Sequence, residues 1–83
     1  MQAPNIDGQW FSGGNPGLPC AIIQKDLILL IINEKGEMAT GRFLSYQQFT
    51  TLASPSGWPA GLIGDLSDNL RTIAWRNGTT WAR

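Results

Sequence analysis

The 83-residue sequence predicts a single all-β domain: a small antiparallel up-and-down meander of about eight short strands, closed into a barrel. Three observations predict it. Ten glycines and five prolines punctuate the chain, and the longest stretch free of both, residues 20–35, is interrupted by the turn pair Lys25-Asp26. No segment carries an apolar stripe of helical period. Turn residues recur at intervals suited to short strands, and closing such strands into a barrel hides edges that would otherwise invite aggregation. A six-stranded barrel, or a sandwich with fewer true strands, fits the same punctuation.

The strands fall, in order, at Gln9–Ser12, Cys20–Gln24, Leu27–Asn33, Glu37–Leu44, Gln48–Ala53, Gly61–Leu66, Leu70–Arg76 and Thr79–Arg83. The last joint, Asn77-Gly78, is the pair preferred in a two-residue type I′ turn, where both positions need positive φ. That turn would pair Arg76 with Thr79 and Ala74 with Trp81. Trp75 and Trp81 would then face opposite sides of the sheet, because side chains alternate along a strand. Asn33 to Glu37 reads as a second hairpin with Gly36 in a left-handed bulge position. Lys25-Asp26 and Ser67-Asp68-Asn69 are short turns. Residues 12–19 and 54–60 form two longer connections, and in a meander both lie at the same end, together with Asn15, Glu34, Trp58 and Asn77.

Composition narrows the function. Six Lys/Arg balance six Asp/Glu, whereas a nucleic-acid binder shows a basic face. Histidine is absent, and with it the commonest general base and metal ligand. The single cysteine, Cys20, allows neither an internal disulfide nor a Cys-rich zinc site, and its neighbours Ala21, Ile22 and Ile23 mark it as a buried thiol. No catalytic set, metal cluster or phosphate loop is present, so no cofactor is expected. An enzyme site formed only in an oligomer pore would need no such motif, but the missing histidine counts against it. The start lacks a secretory pattern and the longest apolar run, Leu27 to Ile32, is too short for a membrane helix, which points to a soluble cytoplasmic protein. Asn77-Gly78-Thr79 matches a glycosylation sequon, but a tight turn explains it better.

The opening Ile6-Asp7-Gly8-Gln9-Trp10-Phe11 resembles the first strand of the calycin superfamily, the lipocalins and avidins. There a Gly-x-Trp motif starts the barrel and a basic residue near the last strand packs across the Trp. The resemblance implies that role for Trp10, with Arg83 or Arg76 as partner. Phe11 after the Trp, and Thr40-Gly41-Arg42-Phe43, are similar to avidin-type segments. Ser12 stands where avidins commonly carry a polar biotin contact. The other biotin contacts have no counterpart, so the resemblance implies the barrel and not biotin binding. Read without it, Trp10 is a large core residue.

Two features carry functional expectations. Residues 27–32 do not alternate, so Ile28, Leu30 and Ile32 face one side while three more aliphatics face the other. Three such side chains left in water forgo about 5–9 kcal/mol, which rivals the roughly 4–12 kcal/mol expected for the whole domain. A second copy of the chain is the economical cover, with Ala21 and Ile23 extending the patch. Trp58 lies in a Gly/Pro loop, where an indole can stack on a sugar or planar ligand, or fold back to cap the barrel. Among the carboxylates Asp65 stands out, since it interrupts an apolar run; an inward Asp65 needs Arg71 or Arg42 as an ion-pair partner. The sequence therefore predicts a non-enzymatic homo-oligomeric module that binds a small molecule or carbohydrate through Trp58, Asn15, Glu34 and Asn77. The alternative is a protein-interaction module acting through the 27–32 strand.

Overall fold

The computed structural model describes residues 2–52 and 58–83. Eight strands follow one another: β1 (Gly8–Ser12), β2 (Pro19–Lys25), β3 (Ile28–Ile32), β4 (Met38–Ser45), β5 (Gln48–Thr51), β6 (Ile63–Leu66), β7 (Thr72–Trp75) and β8 (Thr80–Ala82). Each pairs antiparallel with the next, and β8 returns to β1 through Phe11↔Ala82 and Ser12↔Trp81, closing the barrel. The predicted fold class is the observed one. The predicted strand ends are one or two residues too generous in places. Leu70 adopts φ 60 and closes the turn after β6, its N–H donating to Ser67 O at 3.0 Å, so β7 cannot begin there. Ala53 and residues 54–57 of the long connection after β5 lie outside the described residues.

The period-two pattern puts Trp10, Ile22, Leu29, Ile31, Phe49 and Ile73 inside, each essentially without solvent contact. Small residues make room where large ones cross. Phe49 faces Gly64 across the β5–β6 ladder, and a Cβ at Gly64 would sit 2.5 Å from the tip of its ring.

The two ends of the barrel are built differently. One, the floor, is closed by the segment before β1: Ile6 is fully buried and its carbonyl accepts the Trp10 indole N–H at 2.9 Å. Gln24 fastens this segment, its Nε2 donating to Pro4 O (2.8 Å) and its Oε1 accepting Ile6 N–H (2.8 Å). Arg83 lies over Trp10 with its guanidinium carbon 4.5 Å from the ring centroid. It donates to the carbonyls of Leu70 (2.9 Å), Asn5 (3.0 Å) and Asp7 (3.4 Å). The basic partner of Trp10 is therefore Arg83 and not Arg76.

Arg76 instead pairs with Asp65 on the outer wall, Nε to Oδ2 at 3.0 Å. This corrects the expectation of Arg71 or Arg42. Asp65 sits opposite Ala74 and faces out, so the residue two further along β7's exit is its diagonal neighbour.

The hairpin between β7 and β8 also differs from expectation. Ile73 pairs with Trp81, and Trp75 N–H donates to Thr79 O at 2.8 Å, leaving a three-residue loop of Arg76, Asn77 and Gly78. Only Gly78 has positive φ (93°), and its N–H donates to Trp75 O: a turn followed by a glycine bulge, not a type I′ turn. The one-residue slip turns Trp81 to the same side as Trp75, and both are buried. The Asn33–Glu37 hairpin has this geometry as well, with Gly36 at φ 79, as read from the sequence.

Candidate ligand-binding site at the barrel mouth

The end opposite the floor collects the connections after β1, β3, β5 and β7. Its centre is aromatic. Trp75 and Trp81 meet at 5.2 Å between centroids and 72°, and Trp58 packs edge-on against both, at 5.6 and 6.2 Å. Below them Phe49 meets Trp75 at 5.2 Å and Phe43 at 6.0 Å, continuing the stack into the core. Trp58 thus folds back over the barrel, half-buried, and does not stand out into solvent. Thr51 helps hold it there. The Thr51 hydroxyl donates to Pro59 O at 2.6 Å and accepts Leu62 N–H at 3.0 Å, pinning both sides of the turn that follows Trp58.

A cavity of about 200 Å³ opens beside the three indoles. Glu34, Glu37, Asn77 and Thr79 supply its polar wall. The β3–β4 hairpin sets the two carboxylates through Asn33, whose Oδ1 accepts the N–H groups of Lys35 (3.0 Å) and Glu37 (2.9 Å). Its Nδ2 donates to Glu37 Oε1 at 2.8 Å. Asn77 holds its own turn, Oδ1 accepting Thr79 N–H at 3.0 Å. Of the four residues singled out for ligand contact, Trp58, Glu34 and Asn77 share this cavity. Asn15 does not: it caps its own loop, Oδ1 accepting Gly17 N–H at 2.9 Å.

One further feature leaves no trace in the sequence. The indole N–H groups of Trp58 and Trp75 are both shut off from solvent and find no hydrogen-bond acceptor among the described residues. A buried donor left unpaired costs about 1–3 kcal/mol, and native folds seldom leave one. Here two occur side by side, on residues of the same cavity wall.

Cys20 lies inside the barrel near this end. Its thiol donates weakly to Leu18 O (3.6 Å) and to Glu34 Oε2 (3.8 Å). Burial, and then the Glu34 charge, push its pKa up to about 11. It is a protonated wall element and not a nucleophile.

The chain matches no known protein family, no curated protein and no solved structure. Its own geometry must carry the assignment. A larger groove of about 550 Å³ runs past the floor, where the side chains of Asn5, Asp7 and Gln24 are already hydrogen-bonded within the chain. Asn5 Oδ1 accepts Asp7 N–H, Asp7 Oδ1 accepts Gln24 N–H, and the Gln24 amide bridges Pro4 and Asp26. Among the described residues no three His, Cys, Asp or Glu side chains gather to hold a metal ion, and no helix is long and apolar enough to cross a membrane.

Ile28, Leu30 and Ile32 all point outward from β3. Ile28 is 54 % exposed, and Ile23 beside Leu30 on β2 is 55 % exposed. Met38 on β4 extends the surface, pairing with Ile32. Ala21, Leu30 and Ile32 are half-buried by their neighbours.

Proposed function

We propose that this protein is a non-enzymatic binding module, a calycin-like small barrel working in the cytoplasm, that holds a ligand about the size of one sugar ring at its mouth. The make-up of the cavity carries the reading, because three indoles, two carboxylates and the Thr79 hydroxyl line one small space. The cavity supports a small occupant, since about 200 Å³ falls below the roughly 300–1,000 Å³ of drug-sized sites. Indole surfaces offer apolar stacking to a ring, while the carboxylates and Thr79 offer hydrogen bonds to hydroxyl groups.

Titration of tryptophan fluorescence against a panel of monosaccharides and small cyclic polyols tests it, with native mass spectrometry as a second readout. Saturable binding is expected, weakened about tenfold or more in Trp58→Ala. Unchanged affinity in that variant, with the fold intact by circular dichroism, would sink the proposal.

The exposed outer face of β2–β4 favours a second reading, in which two copies of the chain associate through it. Ile23, Ile28 and Met38 lie on adjacent strands, and the chain's net charge of zero leaves little long-range repulsion between copies. Ile28→Lys is expected to halve the mass measured by light scattering. A wild-type protein that is monomeric at high micromolar concentration would end this reading.

A further inference from the structure

The charge of the mouth is one-sided. Glu34 and Glu37 belong to the cavity wall, and no Lys or Arg does. Lys35, between them, is exposed and not part of that wall. The ion pair of Arg76 with Asp65 stands on the outer wall, and among the described residues neither mouth carboxylate forms an ion pair. Opposite them are three indoles at steep mutual angles, 68°, 72° and 86°. The face of an indole attracts a cation through its quadrupole, and a carboxylate attracts the same cation through its charge. An anionic ligand would meet like charge and no compensating donor of full charge. Asn77 and the Thr79 hydroxyl, on the same wall, offer hydrogen bonds to the hydroxyl groups of such a ligand.

We propose that the mouth selects a hydroxylated ligand of monosaccharide size bearing an ammonium group, an amino sugar or cyclic amino polyol, over its neutral and anionic analogues. The proposal rests on the binding function above and names its ligand class. The ammonium group sits toward Glu34 and Glu37, and the ring packs against the indoles. The Asn33 amide, which holds Glu37 at 2.8 Å, keeps one carboxylate in place before the ligand arrives.

A matched series separates the two claims: glucosamine, glucose and glucuronate share a ring and differ in charge. Fluorescence titration at low salt is expected to give glucosamine an affinity at least tenfold above glucose, with glucuronate weaker than both. The double variant Glu34→Gln/Glu37→Gln should bring the glucosamine-to-glucose ratio within about twofold. Asp26→Asn, at the floor, changes net charge by one without touching the mouth and should leave the ratio unaltered. Equal saturable binding of all three sugars, or a preference that survives the double variant, overturns charge selection and leaves the binding function standing. No saturable binding of any of the three overturns both.

Discussion

At the residue scale, two side chains answer for much of the interior's behaviour. Cys20 is held as a thiol by burial and by Glu34, with its pKa near 11 against an ordinary value of 9.0. The folded state therefore grips this proton more tightly than the unfolded chain. The associated stability is fully present below pH 9 and is lost as pH rises from there toward 11. Denaturant melts across that range should show the decline, and Cys20→Ala should remove that part of it. Alkylation at pH 8 should proceed only on unfolding. Arg83 combines its contact with Trp10 and three backbone carbonyls. Cation–π attraction of about 0.5–2 kcal/mol and hydrogen bonds to charged groups of about 1.5–3 kcal/mol each, reduced by exposure, imply a loss of about 2–4 kcal/mol in Arg83→Ala. Urea midpoints measure it, and Arg83→Lys should recover only part, because an ammonium cannot both lie flat on the ring and span three carbonyls.

At the element scale, register decides what each strand presents. The strands and most turns were legible because Gly, Pro and Asn mark them, and the 33–37 hairpin was read to the residue. The β7–β8 turn was not, because Asn-Gly serves both a two-residue turn and a three-residue turn ending in a glycine bulge. The two differ by one residue of register, and that residue determines where Trp81 points. The Asp65–Arg76 pair was hidden for another reason: it is a diagonal across β6 and β7, set by their register and not by sequence distance. At the candidate site, Trp58, Glu34 and Asn77 could be found from loop position, whereas Trp75 and Trp81 could not be assigned together to one face. Gly64 tests the packing between elements. Its missing Cβ lets Phe49 cross the barrel, and Phe49 is locked between Phe43 and Trp75. Gly64→Ala should cost about 1–3 kcal/mol by overpacking, read as a lower melting temperature.

At the scale of the whole molecule, the barrel is sealed at one end and open at the other. The seal is made by residues ahead of the first strand, so a chain beginning at Gly8 would lose the buried Ile6 and the acceptor of the Trp10 indole. It would also lose two of the carbonyls that hold Arg83. Removing a buried aliphatic alone costs about 2–5 kcal/mol, against the roughly 4–12 kcal/mol expected for the whole domain. The shortened chain should therefore unfold near room temperature by circular dichroism. If it instead keeps the full-length melting temperature, the floor is dispensable.

The tryptophan cluster has an optical consequence. Three indoles within 5.2 to 6.2 Å of one another, at steep angles, couple their electronic transitions. Such an array gives a paired positive and negative band in the far-ultraviolet dichroism, a signature that isolated indoles lack. Trp58 is the half-buried member and also the one set in a loop, so displacing it would reshape the couplet, while the strand-borne Trp75–Trp81 pair keeps a couplet of its own. The molecule thus contains its own label-free gauge of whether its mouth is closed.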